Sequence, residues 1–207
     1  MLHPIPTLKE TPSQTAGPYV HIGMTPNFAE IHGVYATDLG SEMLTADTKG
    51  ERIEIVGRII DGSGVPLGDA LVEIWQADAD GSYVAPMAPQ SNSRPSFTGW
   101  GRKATNNDGS FAFQTIKPGR VPGPDGKPMA PHVSLWIVAR GINIGLQTRL
   151  YFSDEVEANG TDWVLNKILD KRRRETLIAR KETEGNVTRY VLDIHLQGEN
   201  ETVFFDF

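Results

Sequence analysis

From residue 51 onwards the chain consists of short runs in which apolar and polar residues alternate. The run 51–61 alternates through Ile53, Ile55 and Gly57, which predicts a half-buried strand because successive side chains of a strand point to opposite faces. The Asn-Asp-Gly sequence at 107–109 predicts a tight turn between two later strands. Further strand patterns lie within residues 70–83, 100–119, 131–140, 146–152 and 188–198.

Residues 162–182 differ from these strands because their apolar residues recur at helical spacing. The spacing predicts a helical segment that can break near its middle. Its apolar positions are Val164, Leu165, Ile168, Leu169, Leu177 and Ile178.

Many short strands, one helical segment in the C-terminal half and no strand–helix alternation predict a mainly β protein, namely an antiparallel β-sandwich. Residues 1–50 are rich in Pro, Thr, Gly and Asn and have no sustained period. We therefore expect an irregular N-terminal arm over 1–50 and one β-sandwich domain over 51–207. An arm of this kind either wraps its own domain or reaches a neighbouring chain.

Composition narrows the range of partners. Hydrophobic residues make up 39% and charged residues 22% of the chain, as in ordinary globular proteins. The net charge of −6 argues against nucleic acid or an acidic membrane surface as a partner. The basic run Lys171–Arg174 is interpreted as the solvated face of a helix rather than as an anion site.

The chain contains no cysteine, which excludes disulfides, thiolate metal sites and a cysteine nucleophile. This fits a reducing compartment. The N-terminus lacks the apolar stretch of a signal peptide, and no apolar run approaches the roughly 20 residues of a membrane span. We expect a cytoplasmic protein that does not enter a membrane.

No self-contained catalytic motif is present. The nucleophile elbow GxSxG and a glycine-rich phosphate loop before a helix are both absent, and no two histidines have metal-binding spacing. Asp78 and Asp80 indicate a turn between strands rather than a calcium loop, which needs more oxygen ligands at fixed spacing. The five histidines are His3, His21, His32, His132 and His195.

His132 is the histidine that raises a question. Ser134 follows it on the same face of a predicted strand, so the pattern is His-x-Ser where His-x-His would bind a metal compactly. From the residues alone, His132 is half of a metal site, the remnant of one, or a core histidine. His21 is expected either to orient a backbone turn or to take part in chemistry, and His195 to lie at a surface or interface.

Three long segments resemble the intradiol ring-cleaving dioxygenases: residues 51–83, 99–119 and 130–144. The arm segment 10–23 and the tail 196–207 extend the similarity to almost the whole chain. The resemblance implies a non-haem ferric enzyme that opens a catechol ring with O2 between its two hydroxylated carbons. For protocatechuate (3,4-dihydroxybenzoate), the product is 3-carboxy-cis,cis-muconate.

In catalytic chains of this family, two tyrosinates and two histidines hold Fe(III). The matching positions here are Tyr83, Val121, His132 and Ser134. Because valine cannot ligate and serine is a poor iron ligand, the resemblance implies no metal in this chain and marks these four positions as vestigial. A nearby arginine and glutamine of catalytic chains fall on Met129 and Arg149.

The arm and tail further imply the alpha subunit of such an enzyme, paired with a homologous, iron-binding beta chain in alpha–beta pairs. On this interpretation the chain has no complete catalytic site and is inactive alone, and Fe(III) lies in the partner beta chain. The arm contacts the partner chain, and five residues help to form the substrate pocket at the alpha–beta interface. These are Thr15, Gly17, Pro18, Tyr19 and Arg140.

Two alternatives remain at this point. A free-standing, transthyretin-like β-sandwich binding module would share the predicted fold, since fold does not determine function. A complete dioxygenase acting alone is the other alternative, and Val121 with Ser134 argues against it.

Overall fold

The computed structural model describes residues 9–84, 95–185 and 187–206. The strands are β1 (Arg52–Ile60), β2 (Leu71–Trp75), β3 (Trp100–Ala104), β4 (Ser110–Ile116), β5 (His132–Val138), β6 (Leu146–Phe152), β7 (Ile178–Glu184), β8 (Val187–Val191) and β9 (Ile194–His195). The helices are α1 (Pro18–Met24), α2 (Val156–Thr161) and α3 (Lys171–Glu175), with a 3-10 turn at Leu165–Lys167.

The strands form one mixed sheet in the order β3-β2-β5-β6-β7-β8-β1-β4, with β9 also paired to β1. The first and last strands of this order, β3 and β4, are joined by the predicted tight turn. There the amide of Gly109 donates to the carbonyl of Asn106 at 2.8 Å, and Gly109 has a φ of +75°. The sheet is therefore curved towards a barrel.

The predicted antiparallel β-sandwich is correct only as a mainly β fold. β7 pairs with β6 in parallel, and β8 and β9 both pair with β1 in parallel. Between β6 and β7 the helical crossover 153–177 returns the chain to the same end of the sheet, as a parallel pair requires. Local alternation contains no information about strand direction, so the sequence pattern missed this.

The main core lies inside the curved sheet. The alternation expected for β1 is present, because Ile53, Ile55 and Ile59 are buried. They pack with the inward-facing residues of the other strands, which include Val72, Ile74, Phe111, Phe113, Val133, Leu135, Ile137, Leu150, Phe152 and Tyr190. The opposite faces of β2, β5 and β6 are free to hold polar and aromatic side chains.

The helical segment predicted over 162–182 is shorter and more divided than expected. The 3-10 turn buries Leu165, but Leu169 is 91% exposed, and Ile178 already belongs to β7. The break has a local cause, since the carboxylate of Asp170 accepts a hydrogen bond from the amide of Arg172 and begins the separate helix α3. In α3 the basic run is partly neutralised by ion pairs of Arg172 and Arg173, to Glu199 and Glu201.

The arm is irregular over its described part, apart from α1. It is attached to the sheet near its end, where Met43 is buried in the core and Leu44 bridges to Phe97. Most of the predicted polar loop 84–98 lies outside the described residues. Within the described ranges, no helix is long and apolar enough to cross a membrane.

Candidate functional site

His132 begins β5 and lies on the outer face of the sheet, where it is 5% exposed. Its Nδ1 donates to the carbonyl of Ala130 at 2.8 Å, so the lone pair of the neutral ring is on Nε2. The ring centroid lies 5.7 Å from that of Tyr151, the residue opposite it on β6. Burial, aided by the positive charge of Arg149, lowers the pKa of His132 to about 4, so the ring is neutral at pH 7.

Asp162 holds this region in place from beneath. Its carboxylate is fully buried and accepts hydrogen bonds from the amides of Ala130, Val164 and Leu165, each at 2.9 Å. It also accepts one from the hydroxyl of Tyr151 at 3.2 Å. Because Ala130 in turn accepts the proton of His132, Asp162 indirectly fixes the orientation of the imidazole.

Ser134 lies in the middle of a row of side chains that crosses three strands. Trp75 of β2 is opposite it on one side, and Arg149 of β6 is opposite it on the other. The indole of Trp75 is 53% exposed and lies 6.0 Å from the ring of Trp100. The guanidinium of Arg149 contacts the hydroxyl of Tyr151 at 3.4 Å.

Val121 and Met129 occupy the position where the family has a second tyrosine and an arginine. Both are 6% exposed and pack with Ala77 and the partly buried Val164. The amide of Met129 donates to the carbonyl of Val121 at 2.8 Å. This part of the site is therefore a small apolar cluster with no side-chain oxygen or nitrogen.

Tyr83 follows a turn that the carboxylate of Asp78 stabilises by accepting from the amides of Asp80 and Ser82. The predicted turn is thus present. Gly81 lies so close to the carbonyl of Arg120 that a Cβ would be 2.0 Å from its oxygen. This contact brings the turn beside the loop that leads to Val121, yet the side chain of Tyr83 is 58% exposed.

These residues do not fit a ferric ion. Tyr83 is the one phenol among the four vestigial positions, Val121 has no donor atom, and Ser134 offers a neutral hydroxyl. Nowhere in residues 9–84, 95–185 and 187–206 do three His, Cys, Asp or Glu side chains come together to hold a metal.

A second site lies where the arm meets the loop after β5. Gly17, Pro18 and Arg140 line a cleft of about 280 Å³, together with His21 and Asp69. Nε of Arg140 is 2.9 Å from Oδ2 of Asp69, and Nε2 of His21 donates to the main-chain carbonyl of the same residue at 2.9 Å. His21 thus orients a backbone segment, which was one of the two roles expected of it.

Two further predicted pocket residues lie at this cleft's margin. Thr15 attaches the arm, since its Oγ1 accepts from the amide of Gly141 at 2.7 Å and donates to the carbonyl of Ala139 at 3.3 Å. Tyr19 is 82% exposed. The arm residues and Arg140 therefore lie together, although more than 120 residues separate them in sequence.

Sequence reasoning missed Trp75, Asp69 and Asp162. Trp75 had a usable signal, because Glu73 and Trp75 alternate with the core residues Val72 and Ile74 and so face outward. Asp69 and Asp162 had none, since each is a single carboxylate in a loop whose partners are distant in sequence or are main-chain groups.

Comparisons with known proteins agree with this picture. Residues 24–198 match the profile of the family described as Dioxygenase. The protocatechuate 3,4-dioxygenase alpha chain of Pseudomonas putida is 46% identical over 205 residues, which cover 99% of this chain and all of that protein. The beta chain from Burkholderia cepacia is 32% identical, covering 84% of this chain and 79% of that one.

A solved structure shows the same fold. The dioxygenase domain of a dioxygenase–carbohydrate-binding protein fusion from Streptomyces sp. SirexAA-E has a TM-score of 0.57 and 26% identity, covering 83% of this chain and 96% of that one. A free-standing transthyretin-like module is not favoured by these matches. The chain belongs to the intradiol dioxygenase family, in the branch that contains the protocatechuate 3,4-dioxygenase alpha chains.

Proposed function

We propose that this chain is the alpha subunit of a protocatechuate 3,4-dioxygenase and that a homologous beta chain holds the catalytic Fe(III). The two chains form alpha–beta pairs, and the substrate and O2 react at the beta chain to give 3-carboxy-cis,cis-muconate. Near-complete coverage of the Pseudomonas putida alpha chain at 46% identity supports the role. The unsuitability of Tyr83, Val121, His132 and Ser134 for ferric iron supports the division of labour between chains.

The observation that carries this proposal is the cleft at Arg140. Gly17 and Pro18 present main chain with little side-chain bulk, so another chain can approach the cleft closely. Thr15 anchors the arm to Gly141 and thereby keeps Gly17 and Pro18 beside Arg140. The cleft forms one wall of the substrate pocket, and the beta chain supplies the other.

Arg140 provides the charge that a carboxylated substrate requires. Its side chain is 76% exposed and pairs with Asp69, which is 31% exposed. Ion pairs this exposed contribute only about 0–1 kcal/mol, so the guanidinium can leave Asp69 for a stronger partner at little cost. Protocatechuate has a carboxylate that catechol lacks, and arginine binds carboxylates through paired, charge-assisted hydrogen bonds.

The arm, residues 1–50, contacts the beta chain. Its described part exposes several large apolar side chains, an arrangement that marks interaction surfaces. These are Tyr19, Ile22, Phe28, Ile31, Val34, Tyr35 and Leu39, between 37% and 82% exposed.

On this proposal His132 is the remnant of a metal site. Its Nδ1–H donates to a main-chain carbonyl, the arrangement that presents Nε2 to a metal in metalloproteins. The neighbouring ligand positions have changed to Val121 and Ser134, so the orientation persists without its former use.

The test is to measure iron content and protocatechuate-dependent O2 uptake for this chain alone, for the beta chain alone and for the two together. We expect no stoichiometric iron in this chain alone, and full turnover only when both chains are present. Iron and turnover in this chain alone would contradict the assignment. Full turnover by the beta chain alone would show that this subunit does not help to form the pocket.

A further inference from the structure

Serine at position 134 leaves an open space on the outer face of the sheet. Trp75 and Arg149 are its direct neighbours on the two flanking strands, and neighbouring strands lie about 4.7–4.9 Å apart, so their backbones are separated by about 10 Å. Between two long side chains, the small serine side chain forms the floor of a gap. We call this gap the Ser134 notch, bounded by Trp75, Ser134 and Arg149 with His132 at one end.

The notch has a charged side. Arg149 is partly buried and makes no ion pair with a carboxylate in the described part of the chain; its guanidinium contacts the neutral hydroxyl of Tyr151. Two nearby acids are already engaged. Glu73 forms a salt bridge of 2.6 Å with Arg102, and Asp162 lies beneath Tyr151, where it accepts main-chain and phenol hydrogen bonds.

The notch also has an aromatic side and two groups that can hydrogen-bond. The indole of Trp75 offers an exposed face for stacking. Ser134 Oγ makes no hydrogen bond with any described residue, and Nε2 of His132 is likewise without a partner there, so it can accept from a hydroxyl. Along a strand, residues two apart are about 6.6–6.8 Å from each other, which is close to the length of a benzene ring with one substituent.

We propose that the Ser134 notch binds a small hydroxylated aromatic carboxylate without a metal. The carboxylate pairs with Arg149 and Ser134 Oγ, the ring stacks on Trp75, and a ring hydroxyl donates to Nε2 of His132. This goes beyond the proposed function, because it involves neither Arg140 nor the arm and needs no iron. The replacement of a histidine ligand by Ser134 then has a positive consequence, since an imidazole at this position would fill the notch.

The test is isothermal titration calorimetry of the full chain with 4-hydroxybenzoate, which has the carboxylate and one hydroxyl but is not a catechol. We expect one site per chain and quenching of tryptophan fluorescence on binding. The methyl ester of the same compound should bind at least tenfold more weakly, because it cannot pair with Arg149. This comparison needs no variant and so cannot be confused with misfolding.

Two variants locate the site and one serves as a control. Arg149→Met removes the charge and Ser134→His fills the notch, so each should weaken binding at least tenfold. Arg172→Met removes an exposed arginine on α3 and should leave the affinity unchanged. The absence of saturable binding, equal binding of the ester, or full affinity in both Arg149→Met and Ser134→His would overturn the proposal. Since the beta chain and turnover play no part, failure here does not affect the proposed subunit role.

Discussion

Asp69 holds both walls of the cleft at the arm, because its carboxylate lies 2.9 Å from Nε of Arg140 and its carbonyl accepts from Nε2 of His21 at 2.9 Å. One residue therefore connects α1 to the loop after β5. The contact with His21 uses the main chain, which fixes the arm independently of the charge. The contact with Arg140 uses an exposed ion pair, which leaves the arginine able to change partner.

Replacing Arg140 by alanine in the assembled enzyme tests the role of this charge. A hydrogen bond to a charged group contributes about 1.5–3 kcal/mol, so we expect kcat/KM for protocatechuate to fall by about tenfold to a hundredfold. Iron content should not change, because Arg140 is not among the ligand positions. Steady-state O2 uptake and an iron assay are the measurements, with Arg172→Ala as the matched surface control. Unchanged kinetics in Arg140→Ala would remove the residue from the pocket.

The double variant Val121→Tyr, Ser134→His restores the two lost donor types but should not restore an iron site. Val121 is buried among Ala77, Met129 and Val164, and enlarging a packed side chain typically costs about 1–3 kcal/mol. Tyr83 is 58% exposed, so a first tyrosinate is not held in position. We expect a lowered thermal midpoint and no tyrosinate-to-iron absorption band after incubation with iron. A stoichiometric coloured complex would show that the donors alone suffice.

Asp162→Asn should be among the more destabilising substitutions of a single carboxylate. Oδ2 of Asp162 accepts from the amide of Ala130, while Oδ1 accepts from two amides and the hydroxyl of Tyr151. An asparagine places an N–H donor against one of these donors. Because hydrogen bonds to buried charged groups contribute about 1.5–3 kcal/mol each, we expect a loss of about 2–4 kcal/mol in the free energy of unfolding.

Asp170→Asn is the matched control for this experiment. Asp170 caps α3 through the amide of Arg172, and asparagine caps helices about as well as aspartate, so the expected loss is a few tenths of a kcal/mol. Urea denaturation of both variants gives the comparison. Equal losses in the two would mean that Asp162 does not organise the segment around His132.

Acid should destabilise the fold through Asp154. Partial burial alone would raise the pKa of Asp154, but hydrogen bonds from Lys181, Lys117 and Tyr190 outweigh it and lower that pKa to about 2. The unfolded chain has an aspartate pKa near 3.9. Since the native pKa is the lower one, the stabilisation is present above about pH 4 and is lost as the pH falls towards about 2.

Asp154→Asn should therefore flatten the decline of the unfolding free energy between about pH 4 and 2, relative to the unsubstituted chain. Asp47→Asn removes an exposed carboxylate that has no partner among the described residues, so its profile should remain parallel to that of the unsubstituted chain. Denaturant titrations at several pH values measure the slope. An identical slope in Asp154→Asn and the unsubstituted chain would show that the cluster around Asp154 does not couple to pH.

The alternation of apolar residues was sufficient to predict most strands. Ile53 and Ile55 were predicted to face the core of β1 and do so, and the Asn-Asp-Gly turn joins β3 to β4 as expected. The same method failed at Leu169, where helical spacing predicted burial and the side chain is 91% exposed. The cap at Asp170 and the start of β7 interrupt the helix there, and spacing alone does not reveal which of several local signals prevails.

The sequence by itself determined the mainly β character of this protein, the chemistry absent from it and, through its resemblance to a family, the loss of two iron ligands. These follow from side-chain identity and from a period of two residues, both of which are local properties. Only the tertiary structure decided that β6 and β7 run parallel, that the arm and Arg140 share a cleft, and that Trp75, Ser134 and Arg149 form one row. Each of these depends on which distant segments pair and in which direction. Such pairing is determined by the packing of the whole chain rather than by any short stretch of it.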